Sequence, residues 1–351
     1  MTGRKGKACF RLSLAVAMLL TAMAGTAPAR AGQTCADAPP PVIRLAQGSR
    51  YTDDSITRSE IDPAGQAAAT EALRPVDDFL RDLTKLANEV FDDKTDKQAI
   101  ADCVVGQIAV WARAGALEDI GSETAALTIG SRLAGFGLVL LQVMPHTSRT
   151  EDMDIIRSWL AGLMRAQTRF WEEDAPGGAR QGNLRAWAAL GGSAAAAILD
   201  DPALRAWSAW SVSYVLCSAA KDGSLPQEMR RGRLALQYQL HAIAPLVVAT
   251  LLLSRQGTDV QGECNHALRR VVDFAVKDVA SGTNTAAITG VVQSFFDGSD
   301  KVEAFNVAWL EAYLLLDPAA ESGSAGALAK AFRPLNYSKL GGKQAVIWAK
   351  P

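Results

Sequence analysis

From about Asp62 almost to its end, this 351-residue chain spaces its apolar residues at helical intervals and hardly ever alternates them at the interval of a strand. That periodicity limits the fold more than any other feature. "KQAIADCVVGQIAVWARAGAL", "TAALTIGSRLAGFGLVLLQVM", "TEDMDIIRSWLAGLMRAQTRFWEED" and "GECNHALRRVVDFAVKDVA" all carry it. The stops between such runs are short, as at Asp201-Pro202, Asp222-Gly223 and Gly298-Ser299. About ten helices on short links predict an all-α protein. Helix–loop–helix pairs without a strict repeat predict an incomplete (α/α) toroid or barrel of helical hairpins more than a solenoid. No linker divides residues 61–351, which read as one domain. Pro75 is expected to break the first helix, and "QAVIWAK" near the end is the one plausible strand or extended tail.

The first 31 residues read differently. A basic head (Arg4, Lys5, Lys7, Arg11), an apolar run and Ala29-Arg30-Ala31 form a secretory signal peptide cut before Gly32, which predicts a periplasmic protein. No later segment looks long and apolar enough to span a membrane, since "AIAPLVVATLLL" stops at Ser254 and Arg255. Residues 32–60, rich in proline and polar residues, read as an extended arm. The leader holds five basic residues and no acid, so its removal takes the formal charge from −1 to −6. A mildly acidic chain argues against general nucleic-acid binding. Any anion it recognises must be met by a local basic cluster. Cys35, Cys103, Cys217 and Cys264 remain after cleavage. In an oxidising compartment they can pair, and Cys217 and Cys264 can equally be buried free thiols. Three histidines without HxH or HExxH spacing make a zinc site improbable, and no cofactor is implied.

Two stretches break the pattern of surface helices. In "RQGNLRAW", 180–187, Asn183 at a helix start has an ordinary role as N-cap and a second one as a site residue. In "DGSLPQEMRRGRLALQYQLHAIAPL", 222–246, Pro226 suits a first helical turn, and Arg230, Arg231 and Arg233 make the densest basic cluster of the mature chain. Arg231 and Tyr238 lie two turns apart, about 10 Å along the axis of an unbroken helix, with Gly232 able to loosen it. Arginine offers a planar fork to a carboxylate, and tyrosine a hydroxyl that can trade a proton. A solvated basic face with a core tyrosine would read the same way.

The second stretch resembles the periplasmic alginate (polymannuronate) lyases, whose corresponding segment runs Asp-Gly-x-Leu-Pro-x-Glu through Arg-Ala-Leu-x-Tyr-His to Pro-Leu-Met. "GNLRAW" falls where that family carries Asn-Asn-His-(Ser/Arg)-Tyr-Trp. "SRYTDDS" at 49–55, "LAGFGL" at 133–138, "AWLEAYLLLDP" and "FRPLNYSKLGG" follow in the family's order. The resemblance implies β-elimination at a uronate: the carboxylate is neutralised, a base takes the C5 proton, and an acid protonates the departing O4. Position by position it makes Asn183 and Arg231 the neutralising pair and Tyr238 both base and acid. Arg50, Tyr51, Trp111 and Trp187 become candidates to bind sugar rings, and Cys35 and Cys103 a disulfide tying the arm to the helical body. The implied partner is an acidic polysaccharide, with exopolysaccharide secretion machinery as a possible second.

The departures carry their own chemistry. The family's first asparagine is Gly182 here, its histidine Leu184, its next tyrosine Ala186, and the histidine after the catalytic tyrosine Gln239. In mannuronate and glucuronate the C5 hydrogen and O4 share a face, so one tyrosine can take the proton and return it. In guluronate they lie on opposite faces and a second group is needed, which Leu184 cannot be. The expectation is a syn-eliminating polyuronate lyase, with Arg185 a candidate for replacement charge. The alternative is a saccharide-binding pathway protein that kept the cleft and lost catalysis.

Overall fold

The computed structural model describes residues 1–3 and 35–349. The segment read as a leader, with its cut before Gly32, therefore lies outside the described residues but for the first three.

Helices start where a side chain can take up their free N–H groups. Asp62 caps α1 (Pro63–Ala87) and Asp96 caps α2 (Lys97–Arg113). Ser122 caps α3 (Glu123–Thr128), which leads almost directly into α4 (Gly130–Val143). Then come α5 (Thr150–Arg169), α6 (Asn183–Leu199) and α7 (Pro202–Leu216), the last capped by Asp201. α8 is one turn, Pro226–Met229, with the proline in the first turn as expected. α9 (Ala235–Arg255) and α10 (Glu263–Asp278) follow, then α11 (Thr283–Thr289), α12 (Leu310–Leu316), α13 (Ser324–Phe332) and α14 (Gln344–Ile347).

Three sequence expectations are corrected. α1 runs through Pro75, which sits on its exposed face, where water can take the carbonyl the ring leaves without a donor. "QAVI" is a helical turn and not a strand. Two helical stretches, 123–143 and 232–255, are long and apolar enough to cross a membrane by length and composition. Both are mostly buried within the protein, and a helix apolar on every side is what an inner helix of a helical body requires.

The helices sort into inner and outer ones. α4, α6 and α9 are buried on nearly every face, while α1, α5, α7 and α10 bury one stripe. α6 packs on α4, α7 and α9 at once, and its small residues permit it. A Cβ on Gly130 of α4 would lie 2.8 Å from the Ala188 nitrogen, and one on Gly137 2.8 Å from Ala194 Cβ. The low-profile run Ala-Ala-Leu-Gly-Gly-Ser-Ala thus buys helix–helix proximity. Two apolar clusters flank it, one around α7, α9, α10 and α12, the other around α1, α2, α4 and α5.

The arm is fastened at three points. Cys35 pairs with Cys103 on α2, as the resemblance implied, and the Trp111 indole donates to the Pro39 carbonyl at 2.9 Å. β1 (Arg44–Leu45) pairs in parallel with β2 (Asp119–Ile120). So held, the arm delivers residues 47–61 to the mouth of the helical body. Cys217 and Cys264, left open by the sequence, form a second disulfide. At the other end the tail is a two-residue antiparallel pair, β3 (Asn336–Tyr337) with β4 (Gly342–Lys343), clamped by Asn88. The Asn88 amide donates to the Gly341 carbonyl at 2.9 Å and accepts from the Lys343 N–H at 2.7 Å.

Candidate active site

The chain breaks between α8 and α9, and the break builds the site. Gly232 adopts φ +53°, a conformation that favours glycine, and a short 3-10 turn carries the chain into α9. Instead of the axial spacing of a continuous helix, the Arg231 guanidinium carbon lies 4.5 Å from the centre of the Tyr238 ring. Gln239, which stands for a family histidine, does not face this site. Its buried amide accepts from the Leu225 N–H and donates to the Gly223 carbonyl, each at 3.0 Å, fixing the loop ahead of α8.

The arm closes on the same tyrosine. The Arg50 guanidinium donates to the Tyr238 hydroxyl at 2.6 Å and to the Tyr51 hydroxyl at 2.7 Å. The two tyrosine hydroxyls also hydrogen-bond to each other. Two guanidinium groups from separate parts of the chain thus meet one phenol that is 8% exposed.

α6 contributes two residues from "RQGNLRAW" and turns a third away. Gly182 is the N-cap and Asn183 the first helical residue, so Asn183 does not cap its own helix. Its backbone N–H and its amide Nδ2 instead donate to the two oxygens of the fully buried Glu228, at 2.7 and 2.9 Å. Among the described residues, Asn183 Oδ1 is left buried without a partner, as are Arg231 Nε and Trp187 Nε1. Trp187, one turn along α6, stacks on His241 with ring centres 5.2 Å apart. Arg185 points to the opposite side of α6. It donates to Glu172 at 2.5 Å and to Ser211 at 3.1 Å and lies 4.4 Å over the Trp210 ring, so it supplies no charge to Tyr238. Trp111 is wholly buried against Phe79 and Phe136 and anchors the arm, which corrects its reading as a sugar contact. Leu184 is half-buried and packs with Phe170, Leu127 and Trp207 against Trp171.

Four residues join the site that the sequence reading passed over. His241 lies one turn past Tyr238 on the same face of α9, ring centres 6.3 Å apart. Burial, with Lys339, Arg50, Arg132 and Arg231 nearby, pushes its pKa down to about 3, so the imidazole is neutral at physiological pH. Burial likewise lowers Lys339 to about 8, helped by Arg132 and Arg50. Arg132 makes a two-point ion pair with Asp77, at 2.9 and 2.7 Å. Burial alone would raise the Asp77 carboxyl, yet Lys339 and Arg132 hold it below its usual range. Tyr337 packs edge-on to Trp187, and burial raises its phenol. A row of rings, Tyr238, His241, Trp187, Tyr337 and Phe305, ends at a cavity of about 520 Å³ lined by Gln237, Phe305, Asn306 and Lys301. The i, i+3 spacing of Tyr238 and His241 was a readable signal. Tyr337 and Lys339 lie in "FRPLNYSKLGG", which marked the tail as family-like but not as part of the site, because the Asn88 clamp that places them joins positions over 250 residues apart.

The chain is similar to known proteins in sequence and in fold. The family described as alginate lyase matches residues 47–285. A polysaccharide lyase of Stenotrophomonas maltophilia is 28% identical over 337 residues, covering 94% of this chain and 95% of that one. An alginate lyase of Pseudomonas syringae pv. tomato is 26% identical over 81% of this chain and 75% of its own. Among solved structures, an alginate lyase A1-III variant complexed with a tetrasaccharide superposes with TM-score 0.76 at 19% identity, covering 93% of this chain and 89% of that one. The alginate lyase A1-III of Sphingomonas species A1 gives 0.70 at 19% identity, over 90% and 86%. The fold is thereby an α/α toroid.

Proposed function

This chain belongs to the alginate lyase family, and from that premise we propose that it cleaves a mannuronate- or glucuronate-containing polyuronate by syn β-elimination, with Tyr238 as base and acid. One observation carries the reading: Arg50 and Arg231 converge on the Tyr238 phenol, with Arg132 and Lys339 acting on the neighbouring His241. As base, Tyr238 must bear negative charge on its oxygen. Arg50 already donates to that oxygen, and Arg231 lies over the ring. The uronate carboxylate needs positive charge to make its C5 hydrogen removable. Arg231 supplies it, since its Nε–H has no partner among the described residues and His241 is uncharged. Tyr238 then takes the C5 proton, the bond to O4 breaks, and the same proton passes to O4. Tyr337 and Phe305, partly exposed, supply aromatic faces for a sugar, whereas Trp187, 1% exposed, is buried behind them, which corrects its reading as a sugar contact.

Leu184 favours a second reading. It packs among apolar side chains and can handle no proton, which is what a saccharide binder without catalysis would tolerate. Absorbance of the C4–C5 unsaturated uronate decides, measured with polymannuronate, polyglucuronate and polyguluronate in turn. Product from either of the first two, absent with Y238F, supports the lyase. Equal turnover of polyguluronate sinks the syn-only mechanism, and binding without product establishes the binder.

The leader-like pattern of the first 31 residues supports a periplasmic site for this chemistry, where polymer in transit through an exopolysaccharide secretion apparatus would be its substrate. N-terminal sequencing of protein from the periplasmic fraction tests it, with Gly32 expected first.

A further inference from the structure

Asn183, 1% exposed, leaves the wrong end of its amide without a partner among the described residues. Nδ2, the donor, is spent on Glu228 Oε2, and the free buried atom is Oδ1, an acceptor. A uronate carboxylate beside Arg231 Nε–H would meet one donor there and one repelling oxygen. Rotating the amide by half a turn exchanges the two atoms, but Oδ1 would then point at Glu228, and two acceptors cannot pair. The rotation becomes favourable when Glu228 carries a proton. Its O–H can donate to Oδ1, its other oxygen still accepts the Asn183 backbone N–H, and Nδ2 is freed for the substrate.

We propose that Glu228 is a protonation-controlled positioning residue: it takes up a proton when a uronate binds, and so turns Asn183 from acceptor to donor. The inference rests on the lyase reading, since it needs a carboxylate in the cleft. The balance is simple. One proton from solvent ends on Glu228, and no other bond changes. The charges favour it as well. Glu228 is wholly buried, its hydrogen-bond donors among the described residues are the two of Asn183, and burial pushes its carboxyl above the usual range. Arg231, on its own segment, partly opposes that shift, and the Asn183 hydrogen bonds from α6 oppose it further. From α9 the titratable neighbours of Arg231 are Tyr238 and His241. An arriving carboxylate draws the Arg231 charge to itself and leaves Glu228 less reason to stay ionised. In the sequence Glu228 falls on the glutamate of the Asp-Gly-x-Leu-Pro-x-Glu segment, where it reads as a helix-start acid with no role in the chemistry.

The test is calorimetric binding of a tetramannuronate to the Y238F protein, which cannot turn it over, in buffers of differing ionisation heat from pH 5 to 9. Their comparison gives the protons taken up per ligand bound. The expected result is uptake rising toward one proton within that range, with affinity falling up to tenfold per pH unit above it. Adding E228Q should remove this uptake. Glutamine keeps an acceptor for the Asn183 N–H and brings a permanent donor for Oδ1, so affinity loses that pH dependence. Uptake centred near Lys339, whose pKa is about 8, would survive E228Q and is distinguishable on that ground. Identical proton uptake with and without E228Q overturns the proposal, as does zero uptake by Y238F alone, which needs no second variant to fold. Absence of any binding by Y238F, to tetramannuronate and to the corresponding glucuronate oligomer alike, overturns the lyase reading itself.

Discussion

Tyr238 shows how much of a site one side chain can gather. Its hydroxyl meets Arg50 and Tyr51, its face Arg231, its edge His241. Each neighbour has a distinct job, so each substitution should leave a distinct trace. R231K keeps a charge but loses the planar guanidinium that both covers the ring and turns Nε–H into the cleft. Its kcat/KM on polymannuronate should fall about 100-fold or more, the usual loss for one donor that stabilises charge in the transition state. A drop of less than about fivefold would mean that Arg231 does not meet the carboxylate. His241 leaves its trace on stability. The unfolded chain binds a proton near pH 6.5 and the folded protein only near 3, so between these values the unfolded state holds more protons. Stability from this group is therefore complete above pH 6.5 and declines as pH falls toward 3. Denaturation midpoints of H241Q should decline less steeply than wild type across that window, and parallel curves would show that the imidazole is not kept neutral.

At the level of elements, the site depends on places where regular structure stops. An unbroken helix from Pro226 to Arg255 is what periodicity and composition predict, and such a helix would hold Arg231 away from the phenol. The left-handed Gly232 converts two turns of separation into contact. G232A isolates this effect, because a Cβ there has room, 3.6 Å from Ser59 Oγ, and the strain is purely in the backbone. It should cost about 1–2 kcal/mol of stability, read from chemical denaturation. Its kcat/KM should drop well beyond that of a neutral surface variant. N88A tests the other stop. Asn88 is 7% exposed and holds the tail with two hydrogen bonds, so its loss should cost about 1–3 kcal/mol and free Lys339 and Tyr337 from the cleft. What the sequence shows and hides divides along the same line. Helical period and capping aspartates made the all-α body readable, and the resemblance marked Asn183, Arg231, Tyr238, Arg50 and Tyr51. Arg185 and Trp111 misled because residue type says nothing of facing: two positions past Asn183 is the far side of a helix, and a tryptophan on α2 serves the core as readily as a sugar. Arg132 and Lys339 were hidden because only the tertiary fold joins the α4 and tail segments to α9, whereas His241, one turn past Tyr238, could have been read from its spacing.

Over the whole molecule, charge is distributed against its average. The formal charge of the chain is −1, and −6 without the first 31 residues, yet the cleft collects Arg50, Arg132, Arg231 and Lys339 around a single ring system. Asp77 cancels part of that through Arg132, and Glu228 part through Arg231. A polyanion approaching such a surface is repelled by most of it and drawn to one groove, which steers it before contact. Steering of this kind acts over about one Debye length, roughly 8 Å at physiological salt, and shortens as salt is added. Chemistry inside the cleft is screened far less, because the groups already touch. Raising sodium chloride should therefore lower kcat/KM on polymannuronate steeply while kcat changes little, and the slope should lessen in K339M, which removes a cation without touching Tyr238. An equal fall of kcat and kcat/KM with salt would place the charge effect in the bond-breaking step instead of the approach. A salt slope unchanged by K339M would show that the tail lysine takes no part in drawing the polymer in.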